Sequence, residues 1–342
     1  MKAVVVGGSG FLGRHVVKQL AVAVGGGPLD LVCAGRSLPD EPLPGAFVQG
    51  DRTDPDVVRD LMERGPDIWI DLALFEPAEM EHLVAAWERA GRAVRRFVVA
   101  GSIAEYGLSR RHRLPVAEDV PLDAEGSYGR GKAEAWKVGE RAAAKRAFPL
   151  SWAVLPQLWG SGDPHGRDAR WIAALLRGEA ILLRGNGRTL LPDGYVETAA
   201  AAIVHLAFAP GADGARVNVA GPATLTPLSY LKWAASALGR SLRVLHAHPD
   251  IVAAAERVTF SSFRPPFGDY DFGLDLSHLS ALGFAAGIPP AEGVRRTALW
   301  HASAAGRRLA ERAGCPAAPD YGADERRIRQ VLAGAVERLH AV

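Results

Sequence analysis

The stretch AVVVGGSGFLG, residues 3–13, decides the fold of this 342-residue chain. Its first four residues are a short apolar run, mostly β-branched, that predicts a strand buried on both faces. Residues 11–24 then carry apolar side chains at helical spacing, until the sequence GGGP ends the helix. A glycine-rich turn between a strand and a helix is the context that dinucleotide binding requires.

The glycine turn offers a bound phosphate both close approach and hydrogen-bond donors. Gly7 allows the tight turn, Gly10 lets the backbone approach a pyrophosphate, and Gly13 lets the helix pack closely on the strand. The first amides of the helix point to the same place. The residues that we assign to cofactor binding here are Gly7, Ser9, Gly10, Phe11, Leu12, Gly13 and Arg14.

Strands and helices continue to alternate after the turn. Strands are predicted at 29–34, 46–49, 67–73 and 97–100, and helices lie between them at 55–63 and 78–90. This alternation predicts an α/β fold with a doubly wound parallel sheet of the Rossmann type and right-handed crossovers. Ligands of such a sheet bind at the carboxyl ends of its strands.

The residue after the second predicted strand bears on the choice of cofactor. An acidic residue there would bind the ribose hydroxyls of NAD, whereas an arginine can pair with the 2′-phosphate of NADP. Arg36 occupies this position, and Arg14 is a second candidate for the phosphate. The alternative interpretation is that both are solvated surface arginines. The sequence therefore favours NADP, with NAD as the alternative.

Two further strand ends carry polar side chains. Asp51 follows the third strand, where it could recognise the amino group of an adenine, although Thr53 or Asp54 beside it could equally cap the next helix. Ser102 follows the fifth strand, and its hydroxyl could hydrogen-bond a substrate carbonyl or carbinol oxygen.

Tyr128 and Lys132 stand four residues apart, so on a helix both side chains lie on one face. A nearby ammonium favours the phenolate form and lowers the pKa of a tyrosine, which suits proton transfer. Taken alone, the pair is equally consistent with a solvated helix face.

Composition excludes several classes of function. The chain is 48% hydrophobic and 23% charged with a net charge of +2, and its charges of both signs are interspersed. Neither nucleic-acid nor membrane binding is therefore expected. Cys33 and Cys315 lack metal-like spacing, so no metal site is predicted and a reducing cytoplasm fits. Residues 246–250 hold two histidines and an aspartate, which we interpret as a surface turn.

The glycine turn, Asp51, Ser102 and the Tyr128/Lys132 pair occur together in this order. In this they resemble the extended short-chain dehydrogenase/reductase superfamily, of the NAD-dependent epimerase/dehydratase type. The resemblance covers roughly residues 1–300 and extends to LPQLWG at 155–160, GNG at 185–187 and VNVAG at 217–221.

The resemblance implies catalytic roles for three residues. Tyr128 is the acid/base, Lys132 lowers its pKa and holds the nicotinamide ribose, and Ser102 positions the reacting oxygen. Further cofactor contacts are assigned to Arg52, Leu72, Ala73, Pro156, Gln157 and Leu158.

Departures from the family pattern limit the chemistry. The acidic pair that follows the serine or threonine in sugar-nucleotide 4,6-dehydratases is replaced by Ile103 and Ala104, so elimination of water is not expected. The arginine that usually follows the GNG turn is missing at its register, although Arg184 or Arg188 could substitute for it or be surface residues. Val-Asp-Asp is replaced by VET at 196–198. A nucleotide-sugar substrate is therefore in doubt, and the chain looks like an atypical branch.

Three functions remain open at this point. The first is an NAD(P)-dependent reductase or dehydrogenase that acts on a secondary alcohol or ketone of a small polar, sugar-derived substrate. The second is an epimerase that retains its cofactor. The third is a non-catalytic nucleotide-sensing or RNA-binding member of the fold, against which the lack of a basic stripe counts.

We expect three parts in the chain: a dinucleotide-binding domain at 1–155, a smaller α/β substrate lobe interleaved with it at 156–302, and a helical extension at 303–342. The apolar stripe of the last helix, 324–341, must be buried against this subunit or in a homodimer. Residues assigned to the substrate pocket are Phe75, Glu105, Trp159, Arg167, Asp193 and Arg264.

Overall fold

The computed structural model describes residues 1–23, 29–39, 41–107, 111–247, 270–285 and 287–312. Its strands are β1 (Lys2–Val6), β2 (Asp30–Gly35), β3 (Ala46–Gln49), β4 (Ile68–Asp71), β5 (Arg96–Ser102), β6 (Leu150–Leu155), β7 (Ile181–Arg184), β8 (Ala215–Asn218) and β9 (Val244–Ala247). Its helices are α1 (Phe11–Ala23), α2 (Pro55–Glu63), α3 (Pro77–Arg89), α4 (Gly126–Arg146), α5 (Arg167–Arg177), α6 (Val196–Phe208), α7 (Pro227–Ala237), α8 (Ser277–Ala281), α9 (Pro290–Ala302) and α10 (Ala304–Arg312). A single 3₁₀ turn, Ile103–Glu105, follows β5.

Seven strands form one parallel sheet in the order β3-β2-β1-β4-β5-β6-β8. The chain crosses over between β3 and β4, so the carboxyl ends of β1 and β4 meet where the direction of winding reverses. The predicted doubly wound parallel sheet is confirmed.

Alternate residues of the strands supply two separate hydrophobic cores. Val4 and Val6 of β1 belong to a core that includes residues of α2, α3 and α4, whereas Ala3 and Val5 belong to a second core with residues of α1 and α6. Because both faces of the sheet are covered, the strands are almost wholly apolar. A charged residue within such a strand therefore needs a buried partner.

The turn between β1 and α1 has the geometry that its glycines predict. Gly7 has φ +81°, a conformation that L side chains rarely adopt. A Cβ on Gly13 would collide with the carbonyl oxygen of Gly7, so only glycine lets α1 start this close to the strand.

The chain divides into two compact units. Unit 1 comprises Met1–Leu158, Pro192–Ala223 and Phe272–Ile288, and it contains the large sheet. Unit 2 is built from the described parts of Trp159–Leu191, Thr224–Asp271 and Pro289–Val342. Within unit 2, β7 and β9 form a two-stranded parallel sheet, and α9 packs against α5, α7 and α10.

Among the helices of the described ranges, none has the length and hydrophobicity needed to cross a lipid bilayer. The predicted helix at 324–341 and residues 248–250 of the histidine-containing turn lie outside the described residues.

Candidate active site

The three predicted catalytic residues come together at the carboxyl edge of the sheet in unit 1. Ser102 is the last residue of β5, and Tyr128 and Lys132 lie in the first two turns of α4. Glycine at position 129 lets this helix approach the turn after β5, because a Cβ there would lie 2.5 Å from the Ala104 carbonyl oxygen. The predicted helical placement of the tyrosine–lysine pair is thus present in the structure.

Tyr128 presents its phenol at the surface of unit 1. The residue is 49% exposed, and its ring lies 6.0 Å from that of Phe75, which is 43% exposed. The pKa of Tyr128 is raised, because partial burial of the phenol and the charge of Glu105 outweigh the hydrogen bond with the Ser102 side chain. The phenol is therefore protonated at neutral pH and lies within hydrogen-bonding reach of the Ser102 hydroxyl. We call Phe75, Ser102 and Tyr128 the open face.

Lys132, in contrast, is buried, with 1% of its surface exposed. Its Nζ donates hydrogen bonds to the carbonyl oxygens of Leu74 and of Ala100, the latter at 2.6 Å. It also lies 4.6 Å from the centre of the Phe75 ring, a cation–π distance. Burial lowers the pKa of Lys132 to about 8, although nearby carboxylates oppose this shift.

The pKa of Tyr128 is raised rather than lowered in this structure, and the role assigned to Lys132 stays a prediction. The lysine ammonium is held by two backbone carbonyls, and the phenol pKa is raised by burial. Four residues of helical spacing place both side chains on one face, and the carbonyl oxygens of Leu74 and Ala100 accept hydrogen bonds from the ammonium.

Glu105 lies behind Ser102 rather than in a pocket. It is fully buried at the end of the 3₁₀ turn, where Oε1 accepts hydrogen bonds from the Ser102 amide at 3.2 Å and from the Trp152 indole at 3.0 Å. Burial raises the pKa of Glu105 to about 7, against the attraction of Arg216 and Lys132. The assignment of Glu105 to the substrate pocket is therefore corrected: its carboxylate is an internal group.

A buried ion pair between Arg52 and Asp71 lies near the ends of β3 and β4. Nε and Nη2 of Arg52 both lie 3.1 Å from the Asp71 carboxylate, and Nη2 also donates to the Glu79 carbonyl at 3.1 Å. The Glu79 carboxylate accepts hydrogen bonds from the amides of Phe75 and Glu76, at 2.6 and 2.9 Å. We call Arg52, Asp71, Glu79, Glu105 and Lys132 the buried charge cluster.

Arg52 is accordingly not placed as the sequence predicts. Its side chain is 6% exposed and forms an ion pair with Asp71, so the guanidinium is buried in the protein and is not accessible to a cofactor. Asp71 and Glu79 were not anticipated as partners. The sequence does contain a signal for one of them, since Asp71 is a charged residue in an otherwise apolar strand.

The other predicted cofactor residues surround the glycine turn and the strand ends. Gly7 packs against Leu72 and Ala73, since a Cβ added to it would lie 3.4 and 3.5 Å from their Cβ atoms, and its φ of +81° makes any other residue strained there. Such a narrow turn, followed at once by the N-terminus of α1, fits the pyrophosphate of a dinucleotide. Pro156, Gln157 and Leu158 follow β6 directly, and Ser9, Phe11, Leu12 and Arg14 lie in the turn and the first turn of α1.

Arg36 and Asp51 lie beside each other at the ends of β2 and β3. Arg36 is exposed, and its carbonyl accepts a hydrogen bond from Gln49 at 2.9 Å. Hydrogen bonds from the Thr53 amide and hydroxyl lower the pKa of Asp51, and the charge of Arg36 lowers it further. The basic side chain is therefore exposed next to the residue assigned to adenine.

The remaining predicted substrate residues are mostly part of the protein interior. Trp159 is fully buried in unit 2, with its ring 5.5 Å from that of Tyr230. Asp193 is 1% exposed and accepts a hydrogen bond from the Tyr195 amide. Both assignments are corrected on this ground. Arg167, in unit 2, lies 3.5 Å from the Asp163 carboxylate, and Arg264 lies outside the described residues.

Similar proteins were found by family profile and by structure. The profile described as "NAD dependent epimerase/dehydratase family" matches residues 3–220. DesIV, a dTDP-glucose 4,6-dehydratase from Streptomyces venezuelae solved with NAD and TYD bound, is 21% identical with a TM-score of 0.72, over 90% of this chain and all of that one. The UDP-glucose 4-epimerase of Thermus thermophilus, in complex with NAD, is 21% identical with a TM-score of 0.68, over 89% of this chain and all of that one.

A third structure, dTDP-glucose 4,6-dehydratase from Bacillus anthracis in complex with NAD, is 15% identical with a TM-score of 0.73, over 90% of this chain and 99% of that one. None of the curated proteins matches the sequence significantly. At such identities the structural likeness establishes the fold alone. The profile match, however, covers more than half of the 342 residues, and the chain therefore belongs to the NAD-dependent epimerase/dehydratase family of enzymes.

Proposed function

We propose that this enzyme is an NADP(H)-preferring ketoreductase that reduces a ketone of a small polar, sugar-derived substrate, or oxidises the matching secondary alcohol. The observation that carries the proposal is the open face: the Tyr128 phenol and the Ser102 hydroxyl within hydrogen-bonding reach of each other at the carboxyl end of β5. Two hydroxyls in this arrangement can hold one carbonyl oxygen between them.

The protonation state of Tyr128 supports the direction of reduction. Because its pKa is raised, the residue carries a proton at neutral pH and can donate it to a carbonyl oxygen. The Ser102 hydroxyl would orient that oxygen and stabilise the charge that develops on it. The bound nicotinamide would supply or accept the hydride at the carbon of the same group.

The chain's own residues also define where the cofactor would bind. The turn at Gly7, Gly10 and Gly13 would take the pyrophosphate on backbone amides, and Asp51 would accept a hydrogen bond from the adenine amino group. Lys132 has two of its three N–H groups engaged by carbonyls, so the third would serve the nicotinamide ribose.

Loss of water is not supported by the residues after Ser102. Ile103 and Ala104 form the 3₁₀ turn at the place where 4,6-dehydratases carry an acidic pair, and neither side chain can act as an acid or a base. The acidic residue of this turn, Glu105, is fully buried and bonded to Trp152. The elimination that the dehydratases among the structural relatives carry out is therefore not proposed.

The preference for NADP rests on Arg36. The family description and the cofactors of the solved relatives name NAD. In this chain, however, β2 is followed by an exposed arginine where an acidic residue would repel a 2′-phosphate. We expect Arg36→Asp to weaken NADPH binding about ten- to a hundred-fold while NADH binding changes little.

Fluorescence titration of the free enzyme with each nucleotide measures this preference. Arg188→Asp, which changes an arginine after the GNG turn, is the matched control and should leave both affinities unchanged. Equal losses for NADPH and NADH in the Arg36 variant would exclude the 2′-phosphate contact.

The second candidate function is an NAD-dependent epimerase, which the family description and the epimerases among the solved relatives favour. The two functions differ in the fate of the cofactor. An epimerase returns the hydride within one catalytic cycle and keeps its nucleotide, whereas a reductase must release oxidised nucleotide at every turnover. Nucleotide that co-purifies in equimolar amount and survives exhaustive dialysis would favour the epimerase.

A further inference from the structure

Glu105 is a buried carboxylate that hydrogen-bonds the predicted catalytic residue Ser102 and acts through its charge on a second one, Lys132. Its Oε1 accepts the backbone amide of Ser102, and both of its oxygens accept the Trp152 indole N–H, at 3.0 and 3.1 Å. Position 101 has no space for a side chain, because a Cβ on Gly101 would collide with the indole nitrogen of Trp152. The carboxylate, the indole and the end of β5 therefore form one closely packed unit.

The same carboxylate is the largest of the charges that favour the ammonium form of Lys132. Burial lowers the pKa of Lys132, and Glu105 opposes this most strongly, followed by Asp71 and Glu79, while Arg52 acts in the other direction. Lys132 itself lies 5.9 Å from the centre of the Trp152 ring, so the indole that binds Glu105 also faces the ammonium.

Other charged groups around Glu105 come from β8 and α4. Arg216 of β8 attracts the carboxylate, while its guanidinium lies over the rings of Tyr106 and Trp136, at 5.2 and 5.7 Å. The charge of Glu105 raises the pKa of Tyr128 on α4 and of Tyr106. Ionised Glu105 therefore keeps the proton on both Lys132 and Tyr128.

We propose that Glu105 is a positioning residue of the active site, which fixes the Ser102 backbone through one oxygen and retains the positive charge of Lys132 through its own negative charge. This inference rests on the proposed function for the roles of Ser102 and Lys132. It assigns to Glu105 no contact with the substrate. Its consequence is that the charge state of Lys132 depends on a residue of the 3₁₀ turn after β5.

The test is the titration of Lys132 in the full chain. The sequence has six lysines, so the Cε signals of carbon-13-labelled lysine can be followed by NMR, and Lys132→Met assigns the relevant signal. In Glu105→Gln the amide keeps an acceptor oxygen for Ser102 and Trp152 but carries no charge. We expect the Lys132 midpoint to fall by about one pH unit or more, and the KM for the cofactor to rise at a lower pH than in the wild type, because the neutral amine has no third N–H for the nicotinamide ribose.

Asp168→Asn is the matched control, because Asp168 is another fully buried carboxylate, accepts the Gly160 amide at 3.1 Å and lies in unit 2. It should leave the Lys132 midpoint unchanged. If Glu105→Gln does not fold, Trp152→Phe takes its place: loss of the indole donor disfavours the ionised carboxylate, so the Lys132 midpoint should fall by a smaller amount.

A folded Glu105→Gln variant whose Lys132 titrates as in the wild type would overturn the inference. If Glu105→Gln does not fold, a wild-type Lys132 midpoint in Trp152→Phe would overturn it. The NMR measurement needs no substrate. A wild-type enzyme that transfers no hydride would therefore contradict the proposed function and leave the charge coupling between Glu105 and Lys132 to be judged on its own.

Discussion

The open face and the buried charge cluster lie at the same end of one sheet, but they are built on opposite principles. Phe75 and Tyr128 are 43% and 49% exposed, and the open face carries no formal charge at neutral pH. The five members of the buried charge cluster are at most 6% exposed and all are ionisable. Groups that would contact a substrate are accessible and neutral, whereas the charged groups behind them are buried away from solvent.

The difference has a physical reason. A charge in a water-poor interior acts strongly on its neighbours, whereas the same charge in water is screened. Five ionisable groups can stay buried here because each has a partner: Arg52 with Asp71, Glu79 with two amides, Lys132 with two carbonyls and Glu105 with an indole and an amide. Damage to the open face should therefore affect chemistry, and damage to the cluster should affect stability and pH response.

The largest effect is expected on the open face. Tyr128→Phe removes the proton donor and should lower kcat by about 10²- to 10⁴-fold. The affinity for NADPH, measured by fluorescence titration, should change little because the ring remains. Ser127→Ala removes the neighbouring exposed hydroxyl and is the control. Wild-type kcat in Tyr128→Phe would exclude the assigned role.

In the cluster, Arg52→Met leaves the Asp71 carboxylate buried without its cation. The free energy of unfolding should fall by about 3–5 kcal/mol. Arg59→Met is the matched control, because Arg59 contacts Asp56 and Asp60 at the surface and its loss should cost about 1 kcal/mol or less. Urea denaturation of both variants measures the difference. Equal losses of unfolding free energy would show that the buried ion pair contributes no more to stability than the surface one.

The pH dependence of the unfolding free energy should also depend on the buried charge cluster. Glu105 has its pKa raised to about 7 from an ordinary value of 4.5, so its neutral form stabilises the fold below pH 4.5 and this contribution is lost as the pH rises through 7. The loss is on the order of 3 kcal/mol. Asp168 and Asp193, raised from 3.8 to about 7, act in the same direction.

Glu105→Gln should therefore flatten the decline of unfolding free energy between pH 5 and pH 7, as measured by urea denaturation at several pH values. A decline as steep as that of the wild type would show that Glu105 does not titrate in this range.

The smallest expected effect lies where the two regions touch. Phe75→Leu removes the ring that lies 4.6 Å from the Lys132 ammonium and 6.0 Å from the Tyr128 ring. Loss of the cation–π contact should lower the unfolding free energy by about 1 kcal/mol. Phe208→Leu, at a phenylalanine of similar exposure on α6, should change it by less than about 0.5 kcal/mol. Equal changes would argue against the contact.

The sequence predicts the fold well because glycines and buried strands act locally. The bounds of β3 and α2 are as predicted, β1 begins one residue earlier, β2 is shifted by one residue, and α1 begins where predicted. The end of β5 and the first turns of α4 place Ser102, Tyr128 and Lys132 together at the carboxyl edge of the sheet. The cofactor and substrate lobes remain a prediction, as does each assigned role.

The contacts of individual side chains are what the sequence could not supply. Arg52 and Glu105 follow strands, as cofactor and substrate residues do, and nothing in their spacing shows that both turn inward. Their partners Asp71 and Trp152 come from other strands, so the pairing depends on tertiary structure. Likewise, the spacing of Lys132 from Tyr128 does not show that the carbonyls of Leu74 and Ala100 accept hydrogen bonds from the ammonium.

Hydride transfer with labelled cofactor tests the central claim most directly. The enzyme is incubated with NADPH deuterated at C4 of the nicotinamide and a panel of small polar ketones, and the products are analysed by mass spectrometry. Deuterium is expected on the carbinol carbon of the alcohol formed by the wild type, with at least about a hundred-fold less product from Tyr128→Phe. A product that contains no deuterium from either C4 position, or equal labelling by the Tyr128 variant, would contradict that claim.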